Sequence, residues 1–190
     1  DIRSELSIPT DAFLCINVAN NRRMKGIPYL LKAFNLLPED MPIHLLLVGK
    51  DMDSPRNMRI IAREGKNAQI HILGFRKDVL NIVAACNTFV LPSIKGESIT
   101  KSVLEAMSLG IAPIISDIAG NRELVIHEES GLVFPSRDTE ELSRAIIRLY
   151  RDRELCRRLG RQARKRIQKV LNTEQTVEKT KKLYEELAHS

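Results

Sequence analysis

The sequence predicts an α/β domain built on a doubly wound parallel sheet of about six strands. Three observations predict it. Six short apolar runs recur along the 190 residues, each near strand length and nearly continuous, as strands buried on both faces are. Between them, apolar residues return at helical spacing. Alternation of the two patterns calls for crossover connections, which set the strands parallel and lay helices over both faces, the Rossmann-like arrangement.

The runs are Phe13–Ala19, Ile43–Gly49, Ile70–Gly74, Thr88–Pro92, Ala112–Ser116 and Leu132–Phe134. Residues 1–12 before them read as a linker-like start. Leu30, Leu31, Phe34 and Leu37 mark a helix after the first run. Val103, Leu104 and Met107 mark another, with Gly110 placed as its C-terminal stop. Asp138 followed by Glu141 resembles a capping box opening a helix through Leu142, Ile146 and Leu149. Extra C-terminal helices fill 152–190, roughly Asp152–Leu171 and Thr173–Leu187. No low-complexity stretch or internal repeat divides the chain, so 1–190 reads as a single domain.

Composition narrows the class. With 43% hydrophobic and 28% charged residues the chain reads as globular. No apolar run approaches the ~18 residues of a membrane span. The polar opening Asp1–Glu5 carries no secretory signal, and the non-Met first residue suggests an excised segment. Cys15, Cys86 and Cys156 are far apart with no C-x-x-C, which suits reduced thiols and a cytoplasmic location over a disulfide framework or zinc site. His44, His71, His127 and His189 show no metal-ligand spacing; His44 and His71 fall in strands.

The net charge of +6 is uneven. Nine basic residues between Arg151 and Lys169 face only Asp152 and Glu154. The stretch reads as a solvated helix face or as a peripheral contact with anionic lipid on the inner side of a membrane. Nucleic acid is not expected, because no aromatic residues interleave the charges.

Ligands of such sheets bind at the carboxyl ends of the strands. After the first strand come Asn20, Arg22, Arg23 and Lys25, then Gly26, which permits a tight turn or a close backbone approach. These cations suit a diphosphate, although position alone fits a solvated basic loop as well. After the fourth strand, Pro92–Lys101 runs into a helix beginning near Thr100. Its unpaired N–H groups form an anion site, and Ser98 or Thr100 could cap it or bond a phosphate. Glu97 and Glu105 stand eight residues apart. On a continuous helix that is ~12 Å of rise and ~80° of rotation. The carboxylates of a retaining glycosidase stand about 5–5.5 Å apart, so an acid/base couple does not fit. Two separate grips on an extended ligand do, as do two ordinary surface charges.

Five segments in order resemble one family. Lys25-Gly26 resembles K-G after strand one; Leu73-Gly74-Phe75-Arg76-Lys77-Asp78-Val79 resembles L-G-x-x-x-D-V. Glu97 with Glu105-Ala106-Met107 resembles an E-x7-E motif. Ser116–Glu123 resembles T-D-x-G-G-x-x-E, and Gly131–Pro135 resembles G-L-L-V-P. Together they are similar to the C-terminal domain of the family 4, group 1 retaining glycosyltransferases of GT-B fold, over nearly all the chain to about Tyr150. The resemblance implies a donor-binding domain whose acceptor-binding N-terminal partner domain is absent from this chain. Lys25 and Glu97 would be catalytic, Lys25 on the diphosphate and Glu97 on the transferred sugar. Backbone N–H groups of Ser98, Ile99, Thr100 and Lys101 would touch sugar and phosphate. Glu105 would bond the ribose, and Gly74, Phe75 and Arg76 would border the base.

The implied reaction is hexosyl transfer with retention from a UDP- or GDP-linked sugar to a saccharide or lipid-linked acceptor, as in surface polysaccharide or glycolipid synthesis. It needs no metal or other cofactor, because fixed cations and a helix terminus stabilise the leaving diphosphate. The isolated domain is expected to bind its donor and transfer nothing.

The sequence departs from the family at two places. Ala19-Asn20 replace Gly-Arg, so the phosphate contact passes to Arg22 or Arg23 or is lost. Glu97-Ser98-Ile99-Thr100 replaces E-G-F-G, which stiffens the loop and reshapes the sugar pocket. Two alternatives stand beside this reading: a non-catalytic nucleotide-sugar or anion/lipid-binding module, and a metal-dependent glycosyltransferase using Asp51 and Asp53 of a D-x-D. Ser98–Lys101 matches S-x-x-K without its S-D-N and K-T-G partners. No Walker loop or G-x-G-x-x-G occurs.

Overall fold

The computed structural model describes residues 1–63, 69–95 and 100–170. All six apolar runs are strands: β1 (Phe13–Val18), β2 (Ile43–Val48), β3 (Ile70–Gly74), β4 (Thr88–Leu91), β5 (Ala112–Ser116) and β6 (Leu132–Phe134). They form one parallel sheet in the order β3-β2-β1-β4-β5-β6. The helices are α1 (Ile2–Glu5), α2 (Ile27–Asn35), α3 (Pro55–Arg63), α4 (Val79–Ala84), α5 (Lys101–Ser108), α6 (Asn121–Leu124), α7 (Thr139–Arg151) and α8 (Arg153–Val170).

Strand side chains alternate between two cores. Phe13 and Cys15 of β1, with Leu45 and Leu47 of β2, pack under α2, α3 and α7. Leu14 and Ile16, with Leu46 and Val48, pack under α4 and α5. Both faces are covered, which is why the runs are nearly continuously apolar. The three cysteines are buried, unbridged core residues. Burial pushes the thiols up, Cys86 to about 12 and Cys156 to about 11.

The structure departs from the sequence reading in three places. The supposedly linker-like start carries α1, capped by Asp1, and buries Ile2 and Ile8. Helices α3 and α4, short and with few buried residues, stand where the periodicity marked none. Asp138 caps α7 by accepting from the N–H groups of Glu140 and Glu141. The reciprocal half of a capping box is missing, because the Asp138 N–H donates to the Pro135 carbonyl and the Glu141 carboxylate pairs with Arg144. The helix expected over Asp152–Leu171 is α8, and the one expected over Thr173–Leu187 lies outside the described residues.

Much of the basic stripe on α8 is engaged within the fold. The Arg153 guanidinium lies 4.4 Å from the Phe13 ring centroid and 4.9 Å from that of Tyr150. Arg157 and Arg161 pair with Glu154. Arg158 donates to the Glu128 carbonyl, and Arg166 to the carbonyls of Glu123 and Leu124. No helix among the described residues is long and apolar enough to cross a membrane.

Helix α8 also fixes the far end of α5. That end closes as a Schellman motif, with Ile111 N–H on the Ala106 carbonyl, Gly110 N–H on the Met107 carbonyl, and Gly110 at φ +77°. Gly160 of α8 packs on this turn so closely that a Cβ there would stand 2.0 Å from the Gly110 carbonyl oxygen. Gly160→Ala is therefore expected to cost ~1–3 kcal/mol of stability by overpacking, read as a lower urea midpoint at unchanged slope.

Candidate functional site

In this strand order β1 continues to β2 on one side and meets β4 on the other. The loops leaving β1 and β4 therefore diverge, and a crevice opens between them. The β1–β4 register runs over Cys15↔Thr88 and Ile16↔Phe89. One residue on, the buried Asn17 reaches across with its side-chain Nδ2, donating to the Val90 carbonyl at 2.8 Å.

The loops that bound the crevice are locked together. Gly26 adopts φ +68°, and a Cβ on it would lie 1.9 Å from the Pro92 carbonyl oxygen. The Ile94 N–H donates to the Met24 carbonyl at 2.8 Å. Between these two contacts lies half-buried Lys25, the last residue of a 3-10 turn over Arg23–Lys25. Thr100 occupies the N-cap of α5 in extended backbone, without a capping side-chain bond. Lys101 and Glu105 face each other one turn apart, with Nζ to Oε1 at 3.4 Å. Glu97, Ser98 and Ile99 lie outside the described residues.

The remaining predicted positions separate into two groups. Arg22 and Arg23 border a hollow of about 430 Å³ with Ile94, Lys95 and Arg137. Asn20 instead joins the neighbouring loop, where its Oδ1 accepts from the Lys50 N–H at 3.2 Å. Beyond β3, Gly74 (φ +62°) turns the chain and leaves Phe75 68% exposed. Phe75 lines a hollow of about 470 Å³ with Lys50, Asp51, Asp53 and Gly74. Arg76 forks between two carboxylates: Glu5 at 2.6 and 3.1 Å, Asp78 at 2.8 Å twice. It ties α1 to the β3 loop, and its hydrogen bonds pull the Asp78 carboxyl down to about 2.

Several residues escaped the sequence reading. Lys95 and Arg137 join the cationic rim. Ser93 is fully buried; its carbonyl accepts from Ser116 Oγ at 2.6 Å and Ser136 Oγ at 3.4 Å, and its own Oγ has no partner. The one available signal was a serine at each of these strand ends. His44 and His71 pair at 3.0 Å near the amino ends of β2 and β3, away from the crevice. Asp51 and Asp53 flank buried Met52, and among the described residues no group of three His, Cys, Asp or Glu gathers as a metal site would require.

Comparison with known proteins agrees with the geometry. The family described as Glycosyl transferases group 1 matches residues 1–166. A glycosyltransferase of Methanocaldococcus jannaschii is 31% identical over 88% of this chain and 43% of its own length. An Escherichia coli UDP-Gal:α-D-GlcNAc-diphosphoundecaprenol α-1,3-galactosyltransferase is 35% identical over 60% of this chain and 29% of its own. The fold matches Anabaena HepE in complex with UDP-glucose at a TM-score of 0.83, with 23% identity over 94% of this chain and 50% of that one. The chain thus spans about half or less of the length of these proteins.

The Arg76 fork gives a pH signature. Asp78 titrates at about 2 instead of 3.8, so the anchoring it supplies is complete above about pH 4 and lost as pH falls through about 2. In Arg76→Ala the Asp78 carboxyl is expected to return toward 3.8, as read by NMR titration.

Proposed function

Because the chain belongs to the group 1 glycosyl transferases, we propose that it is the donor-binding part of a metal-independent, retaining, family 4 hexosyltransferase. One observation supports the reading: the Gly26–Pro92 and Ile94–Met24 contacts, on either side of Lys25, join its loop to the first residues after β4. A diphosphate in the crevice would meet Lys25, the exposed Arg22 and Arg23, and the positive end of α5. Glu105, one turn into α5, would accept from the ribose hydroxyls. Phe75, exposed beyond β3, would offer its ring to the base. Glu97 and the N–H groups of Ser98, Ile99, Thr100 and Lys101 would hold the transferred sugar. Fixed cations and the helix terminus would take up the charge of the leaving diphosphate, which a metal supplies elsewhere.

A uridine donor is favoured by the UDP-Gal of the E. coli relative and the UDP-glucose bound to Anabaena HepE. The acceptor, a saccharide or a lipid-linked sugar, belongs to a second domain, so this chain alone binds its donor and transfers nothing. The E. coli relative acts on a diphosphoundecaprenol-linked sugar, which supports a place in cytoplasmic-side polysaccharide or glycolipid synthesis. Peripheral contact with anionic lipid would rest mainly on Arg151, Arg164, Lys165 and Lys169, which are exposed on the C-terminal basic stretch.

Calorimetry with UDP-, GDP- and ADP-sugars, with and without chelator, tests this function. UDP-sugars are expected to bind equally in both conditions. Glu105→Ala is expected to weaken UDP itself by ~1.5–3 kcal/mol, the range for hydrogen bonds to a charged group. Equal UDP affinity in variant and parent would refute the ribose role. Binding that vanishes with chelator would return the metal reading through Asp51 and Asp53.

A further inference from the structure

A second cleft opens on the other side of the sheet from α5. It has about 440 Å³ and lies between the first turns of α2 and α3, at Tyr29, Arg56 and Asn57, with Arg23 and Arg137 at its rim. That volume falls within the range of small-molecule sites. Helices α2 and α3 belong to the core facing away from α4 and α5, so the cleft is not the groove where Glu105 lies.

Its lining is one-sided. Three guanidiniums border it, no carboxylate does among the described residues, and none of the three forms an ion pair there. Arg137 holds φ +71°, a left-handed backbone that ordinarily favours glycine. A separate observation comes from Asn57. This side chain lines the cleft and is 1% exposed. Its Nδ2 donates to the Met52 carbonyl at 2.9 Å, while its Oδ1 is buried with no partner. A buried acceptor without a donor is costly, and a ligand hydroxyl is the missing donor. Guanidinium forks match the oxygens of a phosphate.

We propose that this cleft is a second anion site, adjoining the nucleotide crevice at Arg23, Ile94 and Arg137, that binds a phosphate ester carrying hydroxyls. Arg56 and Arg137 take the phosphate and Asn57 Oδ1 accepts from a hydroxyl, while Arg23 stands between this cleft and the diphosphate's place. Arg56 and Asn57 border this cleft and not the hollow beside Arg22 and Lys95, so the ester binds while the nucleotide is present.

The test is calorimetric titration of the chain with glycerol 3-phosphate, inorganic phosphate and glycerol. Glycerol 3-phosphate is expected to bind more tightly than inorganic phosphate, and glycerol not at all. Arg56→Gln and Arg137→Gly, both at exposed positions, are each expected to weaken glycerol 3-phosphate by about tenfold, the loss of a charge-assisted contact. Arg56→Gln should leave UDP affinity unchanged, and saturating UDP should not displace the ester. Sedimentation with phosphatidylglycerol vesicles separates the sources: binding lost in Arg56→Gln puts the ester on a lipid, and binding of glycerol 3-phosphate alone puts it on a soluble ligand. Unaltered glycerol 3-phosphate affinity in both variants, or displacement by UDP, overturns the second site. A failure of UDP to bind the parent chain would count against the donor site instead.

Discussion

The close approach of Gly26 to the Pro92 carbonyl is the constraint from which the crevice takes its shape. Only a residue without Cβ passes there, since any side chain would meet carbonyl oxygen at 1.9 Å. The same residue must hold φ +68°, a second reason for glycine. The contact lets the Ile94 N–H reach the Met24 carbonyl, which joins the loop after β1 to the first residues after β4. Lys25 lies between the two residues that make these contacts.

That local lock works because the sheet behind it is rigid. Buried on both faces, β1 and β4 sit at the centre of six parallel strands and cannot shift without disturbing two cores. Helix α5 is held at its far end as well, where Gly160 of α8 seats on the Gly110 turn. The hydroxyls of Ser116 and Ser136 converge on the Ser93 carbonyl and join the ends of β4 and β5 to the loop after β6. Preorganisation of this kind is what a site needs when it stabilises charge with fixed groups.

The strands were legible because burial on both faces writes an unbroken apolar run, and the observed bounds differ from the sequence reading by at most one residue. Helices α3 and α4 left little trace, since each commits few residues to the core. Site positions were legible as places along the chain, because strand ends in this fold class are where ligands bind. Side-chain partners were not. Nothing local says that Asn20 reaches the Lys50 N–H or that Arg76 reaches back to Glu5, a contact between residues far apart in sequence. Arg56 and Asn57 went unnoticed because α3 was unmarked, and their meeting with Arg137 depends on the fold.

The most direct measurement of the central claim is the UDP affinity of Gly26→Ala, taken with a check that the chain remains folded. If the Gly26–Pro92 approach aligns Lys25 with α5, the folded variant loses UDP affinity by at least about tenfold, on the order of one charge-assisted contact. A folded Gly26→Ala chain that binds UDP as the parent does would show that the crevice does not depend on this contact, and would contradict the account.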